Sequence, residues 1–322
     1  MNHRHPNDPA QRGLLVYAAI GDAYGMAYEF VDDYAKVGPN DLTYKPNPKF
    51  PEYQKGRYTD DTQLQWINGE MLLHHAPHTL KPEYFADAWV FEYHQDPRPG
   101  YTRFFRQAMD ESANGADLMR RIDNTKSTAS GAAMRAPVIG LLPDVNEVKR
   151  IAAMQARVTH DNPTGILSAQ AAALAVHGLH YNRCAKADLV SYIDSQIGTA
   201  WRTLDDNNDP KNGLYIVKKA IGAVMAHDGM ADILRACVDC GPGQDTDTLG
   251  ALAMSIASRS REITDDLPDS LFSELETAPE QTGEKKRGDY GRDFLEKLDQ
   301  GLLRRFPPLA PRPAFPFSPG PG

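Results

Sequence analysis

The chain has 322 residues, 41% of them hydrophobic, and a net charge of −8, which is enough to bury the core of one large domain or two. An acidic balance whose densest basic run is Lys285-Lys286-Arg287 argues against nucleic acid as the main partner, and the apolar stretches are far short of a membrane span. Three cysteines, Cys184, Cys237 and Cys240, form an odd set behind an N-terminus with no apolar segment, which reads as a reduced, cytoplasmic protein.

In chain order, residues 1–10 read as a disordered tail. Leu14, Ala18, Gly21 and Gly25 share the first helical face, where glycines four apart permit close helix packing or line a cleft. Segment 32–54 is rich in Pro, Asn, Asp and Gly and reads as a long loop of the kind that forms lids. It runs almost directly into Thr59-Asp60-Asp61-Thr62, which opens a helix carrying Leu64, Ile67 and Met71. Thr62 and Gln65 fit a capping box with Thr62 as the cap. Ser130-Gly131-Ala132-Ala133 places small side chains and free N–H groups at a helix start before Pro137, a common phosphate cradle, although Ser130 as a plain N-cap explains it equally.

Val148, Ile151, Ala152 and Gln155 mark the next helix, and Asp161-Asn162-Pro163 opens another whose run 166–179 is apolar all round and therefore expected at the centre. Helical patterns follow at 187–204, 214–226, 230–238, 248–258 and 290–303, with a polar loop at 205–213. Cys237-Val238-Asp239-Cys240 lacks a second pair for zinc and a βαβ context for redox chemistry, and reads as core packing. The Pro-rich end, 306–322, reads as an extended, disordered tail. With no convincing period-two strand, the expectation is an all-α domain over 11–305 of roughly ten or more helices.

The chemistry lies in two acidic runs, Thr59-Asp60-Asp61-Thr62 and Asp245-Thr246-Asp247-Thr248. Thr and Asp are ordinary helix caps. A cap uses one side chain, however, and here three or four oxygen-bearing side chains crowd each helix start. Adjacent carboxylates repel unless a cation bridges them, and carboxylate and hydroxyl oxygens suit Mg²⁺ or Mn²⁺ better than zinc.

Five motifs in order, Gly21-Asp22-Ala23-Tyr24-Gly25 with Glu29, Thr59-Asp60-Asp61-Thr62-Gln63, Ser130-Gly131-Ala132-Ala133-Met134-Arg135-Ala136-Pro137, Thr159-His160-Asp161-Asn162-Pro163 and Asp245-Thr246-Asp247-Thr248, together resemble the ADP-ribosylglycohydrolase family over about residues 13–258. The resemblance implies a single compact orthogonal multi-helix all-α domain that binds two Mg²⁺ (or Mn²⁺) ions through Thr59, Asp60, Asp61, Asp245, Asp247 and Thr248. It implies hydrolysis of the bond between ADP-ribose and a protein side chain, arginine before serine, by water attack at the anomeric carbon of the distal ribose. The partner is then an ADP-ribosylated protein and the product free ADP-ribose.

By the same resemblance Glu29 is the candidate general base or water-positioning residue, with Asp60 and Asp61 as competitors. Asp22 supports the cleft by hydrogen bonding, and Ser130, Gly131, Ala132, Met134 and His160 bind substrate. Two departures from the pattern are Gln244 in place of glycine and Ala129-Ser130 in place of Gly-Asn. Two rival readings remain at this level: a two-metal phosphoesterase, and a non-catalytic protein of the same fold that binds an ADP-ribosyltransferase.

Overall fold

Apolar residues at helical spacing, punctuated by Gly, Pro, Asn and Asp, fold into fifteen α-helices among the described residues of the computed structural model, 8–51, 53–276 and 290–309. They are α1 (Leu14–Gly25), α2 (Asp60–His74), α3 (Pro82–Gln95), α4 (Arg103–Asp110), α5 (Gly115–Arg121), α6 (Gly131–Met134), α7 (Val145–Arg157), α8 (Pro163–His180), α9 (Leu189–Ile197), α10 (Ala200–Thr203), α11 (Gly213–Ala226), α12 (Met230–Val238), α13 (Thr246–Ala257), α14 (Asp269–Ser273) and α15 (Arg292–Arg305). The described residues contain isolated β-bridges, such as Ala129 with Asn212, but no strand. The single helical pattern expected over 187–204 is two helices, because Gly198 takes a left-handed conformation (φ 75°) that ends α9. Helices α3 to α5 have weak sequence signals, although Pro82 sits in the first turn of α3 and Asn114 caps α5. No helix among the described residues is long and apolar enough to cross a membrane.

The centre is the pair α1 and α13, buried along their full lengths. A Cβ on Gly21 would collide with the Gly250 carbonyl, one on Gly250 with the Gly21 carbonyl, and one on Gly25 with the Thr246 carbonyl. Backbone therefore touches backbone, and Thr246 Oγ1 adds a hydrogen bond to the Gly25 carbonyl (2.7 Å). At the other end of α1, Gly13 offers no capping side chain. Asp299 of α15 supplies it, accepting from the backbone N–H of Leu15 and Val16 (3.0 Å each). Helix α8 packs against α13 and against α7, α6 and α11, started as expected by Asn162, whose side chain accepts from Gly165 N (3.0 Å), with Pro163 in the first turn.

Of the expected tails, 1–7 and 310–322 lie outside the described residues. Pro9 opens a 3₁₀ turn, and Phe306 is buried, its carbonyl hydrogen-bonded to His180 Nε2 (2.9 Å).

Buried His177, against Tyr192 and the Pro143 carbonyl, is held neutral by burial, its pKa pushed down to about 4. A depressed histidine pKa contributes stability that is complete above the unfolded value near 6.5 and is lost as pH falls toward 4. His177→Gln should therefore flatten the acid side of the stability curve by one proton, about 1.4 kcal/mol per pH unit. Urea unfolding at a series of pH values between neutrality and mild acid reads the slope, and parallel curves for the two proteins would remove His177 from acid denaturation.

Candidate metal centre and its cavity

Helix α1 brings the two acidic runs together. Asp22, one helical turn before the close approach at Gly25, accepts from the backbone N–H groups of Thr59 and Thr62 (3.0 and 3.1 Å) and from their hydroxyls (2.9 and 2.7 Å). The start of α2 is thereby fastened to α1, as α13 is fastened at Gly25. Burial outweighs these donors and pushes the Asp22 carboxyl up to about 6. This hub corrects one expectation: Thr62 is not the cap of α2. The cap position is Thr59, and Thr62 lies inside the first turn, its hydroxyl taken by Asp22. Gln65 reaches away to the Met134 carbonyl (3.1 Å). A buried carboxylate is a stronger acceptor than the local backbone and captures both threonines.

Asp60, Asp61, Asp245, Asp247, Thr248 and Glu29 line one cavity of about 230 Å³. Thr59 lies beneath it, fully buried on Asp22. Carboxylate oxygens of Glu29, Asp245 and Asp247 lie within 4.8 Å of one another, and Oδ1 of Asp61 is buried without a hydrogen-bond donor among the described residues. Burial pushes four carboxyls well above the usual range, reinforced by Asp245 at Glu29, by Asp22 at Asp60, by Asp60 at Asp61 and by Glu29 at Asp247. Such a cluster needs protons or a cation to be neutral. An all-oxygen donor set with an orphaned carboxylate oxygen fits a hard divalent cation.

The loop after α3 completes the acidic side. Pro99 O accepts from Asp60 N (3.1 Å). Gly100 (φ 107°) presses on the Asp60 carboxylate so closely that a Cβ would overlap it. Arg98, fully buried, anchors this loop. It pairs with Asp96 (2.7 Å) and with Glu276 (3.0 Å), donates to the Tyr58 carbonyl just before Thr59 (3.1 Å), and lies over the Tyr58 ring.

The rest of the lining includes Phe104, Phe105, Ile122, Asp123, Ser127, Ala129, Ser130, Gly131, Met134 and His160. Ala132 lies behind it, fully buried. Helix α6 is a single turn with no side-chain cap, because Ser130 Oγ turns instead to Asp245 Oδ2 (3.1 Å). His160 is held between Thr159 Oγ1 (2.6 Å) and Ser127 Oγ (2.9 Å), and burial, with Arg135 nearby, lowers its pKa to about 3. It is a neutral wall residue away from the carboxylates. Lys211, from the loop before α11, and Phe30, held in a left-handed conformation (φ 51°), close the mouth, the ammonium 4.7 Å from the ring centre. Gln244 does not reach the cavity: its carbonyl accepts from Phe30 N (2.9 Å) and its side chain meets the Tyr215 hydroxyl (3.2 Å). Sequence reasoning missed Gly100, Phe104, Ser127 and Lys211; the only legible signs were an aromatic pair after Gly100-Tyr101-Thr102 and a lysine in a polar loop.

The ADP-ribosylglycohydrolase family model matches residues 8–306. The chain is 27% identical over 210 residues to ADP-ribosylhydrolase ARH3 of Homo sapiens, a match covering 60% of this chain and 57% of that protein. Identity is 31% over 178 residues with ARH3 of Bos taurus, covering 52% and 48%, and 30% over 176 residues with an uncharacterized protein of Archaeoglobus fulgidus, covering 51% and 54%. The chain spans about half the length of these curated relatives. A solved structure described as an ADP-ribosylglycohydrolase-related protein complex matches with a TM-score of 0.67 at 20% identity, covering 91% of this chain and 96% of that one, a likeness of fold.

Proposed function

Because the chain belongs to the ADP-ribosylglycohydrolase family, we propose that it hydrolyses the glycosidic bond between ADP-ribose and a modified protein side chain, with two Mg²⁺ ions held by Thr59, Asp60, Asp61, Asp245, Asp247 and Thr248. The observation that carries this reading is the convergence of two acidic runs, some 180 residues apart in the chain, on one cavity with Glu29. Ions bound there would orient the ribose hydroxyls and make a water easier to deprotonate. The chain's own part is positioning and proton transfer. Glu29, whose carboxylate converges with those of Asp245 and Asp247 on the cavity, accepts the proton of the attacking water. Phe30, Phe104, Phe105, Ile122 and Met134 exclude bulk water, while Ser130, Gly131 and His160 form the wall against which ADP-ribose rests. We place arginine before serine as the acceptor, because Asp123, the one lining carboxylate outside the metal centre, would exchange its exposed partner Lys126 for a guanidinium. Three free cysteines accord with a reducing, cytoplasmic setting.

The test is cleavage of ADP-ribosylated arginine and serine peptides with product analysis: free ADP-ribose supports the proposal, whereas AMP or inorganic phosphate would replace it with phosphoester chemistry. In the same assay Glu29→Gln keeps size and hydrogen bonding but loses basicity. Its single-turnover rate should fall by roughly 10² or more with ADP-ribose affinity near the parent. An unchanged rate would pass the base role to Asp60 or Asp61.

A further inference from the structure

The direction of Glu29 is set from outside its own helix. After α1 ends at Gly25 the chain continues through single turns: Tyr28 N donates to the Gly25 carbonyl (2.9 Å), Glu29 N reaches the Met26 carbonyl at 3.4 Å, and Phe30 follows in a left-handed conformation. A turn of this kind has few hydrogen bonds of its own to hold it. Yet the Glu29 carboxylate meets those of Asp245 and Asp247 within 4.8 Å, and Asp60 and Asp22 add like charge, countered by Lys211. Where no cation offsets them, these charges push it outward, so its aim must be built into the backbone.

Asn47, buried in the long loop that follows, supplies the hold. Its Nδ2 donates to the Met26 carbonyl (2.7 Å) and to the Glu29 carbonyl (3.1 Å), while its Oδ1 accepts from the backbone N–H groups of Lys49 (2.7 Å) and Phe50 (3.2 Å). Both donors and both lone pairs are thus engaged, and the reversed amide would set oxygen against two carbonyls, so the orientation is fixed. Neighbouring contacts keep the clamp in place. Phe30 N donates to the Gln244 carbonyl (2.9 Å) on the other side of Glu29, and Lys49 Nζ donates to the Phe30 carbonyl (3.0 Å). Tyr53 Oη accepts from the N–H of Gly100 (3.1 Å), the glycine that presses on Asp60. The loop therefore ties the Glu29 turn to the Asp60 side of the same centre.

We infer that Asn47 is a positioning residue for Glu29: it holds the Glu29 carbonyl so that the carboxylate stays turned to Asp245 and Asp247, and it acts on the reaction through Glu29 alone. The inference rests on the proposed base role of Glu29.

The test uses the full chain in Mg²⁺ buffer with an ADP-ribosylated arginine peptide under single-turnover conditions. Asn47→Asp keeps the shape and both acceptors but removes the two donors, and Asn47→Ala removes all four without adding charge. Each should lower the single-turnover rate about tenfold or more, with calorimetric ADP-ribose affinity within about twofold of the parent. Neither should lower it further in a Glu29→Gln background, where the same path is already lost. A merely structural role would cost the same factor in both backgrounds. Amide exchange reads the hold directly: the Asn47 side-chain NH₂ should be protected in the parent, and the Phe30 N–H should exchange about tenfold faster in either variant while α13 keeps its protection. Parental rates in both variants, an equal loss in the Glu29→Gln background, or a parent Asn47 NH₂ that exchanges like a solvated amide would each overturn the inference, and the last needs no variant to fold. A Glu29→Gln variant that turns over like the parent would instead sink the base role, and amide exchange would then still decide the hold.

Discussion

Asp247→Ala and Asp61→Ala are each expected to lower turnover by roughly 10³-fold or more, because each removes a carboxylate from the proposed metal centre. The same substitutions should leave the metal-free protein at least as stable as the parent. Asp61 carries a buried oxygen without a donor among the described residues, and Asp247 faces Glu29 and Asp245, so the repulsion relieved outweighs the hydrogen bonds given up, from Thr59 Oγ1 to Asp61 and from Thr248 N to Asp247. The sign of the pH dependence follows from the raised carboxyls. Their stabilising contribution is complete at low pH and is lost as pH rises through the folded-state values, which lie well above the ordinary carboxylate range. The stability gained by either variant in EDTA should therefore be larger at pH 8 than at pH 5. Turnover in EDTA, with Mg²⁺ or Mn²⁺ added back, and melting temperature at the two pH values measure both halves. Parental turnover of Asp247→Ala in EDTA would end the metal-dependent mechanism.

Gly25→Ala and Gly250→Ala should each destabilise the protein by about 3 kcal/mol or more, at or beyond the upper end of ordinary overpacking, because the added methyl meets backbone carbonyls that cannot rotate away. The second effect is on function. Gly25 sits one turn beyond Asp22 and directly against the start of α13, so separating the helices also separates Asp247 from the Thr59–Asp61 turn. Divalent metal affinity should fall with stability in Gly25→Ala and less in Gly250→Ala, which lies further along α13 from the acidic run. Gly222→Ala is the internal control: it lies in α11 with nothing near an added Cβ, and should be neutral or more stable by up to about 1 kcal/mol. Equal melting temperatures for Gly25→Ala and the parent would mean that α1 and α13 have slack that the backbone contact denies.

Several features of this protein were legible in the sequence because their causes are local. The cap and first-turn proline at Asn162-Pro163, the apolar run of α8, the glycine spacing of α1 and the excess of oxygen side chains in two short runs all act within a turn or two of their own helix. Local pattern also misled where a distant group competed for the same atoms. Thr62 and Gln65 satisfy the spacing of a capping box, yet Asp22 and the Met134 carbonyl take their hydrogen bonds. The 187–204 pattern was broken by the conformation of a single glycine.

By itself, then, the sequence determined an all-α chain, the two runs of oxygen-bearing residues, and the helix starts on which they sit, since side-chain chemistry and helical periodicity need no knowledge of neighbours. Tertiary structure alone decided that α1 joins both acidic runs, that Gly100 and Arg98 close the far side of Asp60, that Ser130 turns to Asp245 instead of capping α6, and that Thr159 orients His160 toward Ser127. Each of those contacts links residues whose partners are chosen by burial, where a polar group must find whichever donor or acceptor the packing brings within reach, and no spacing along the chain encodes that choice.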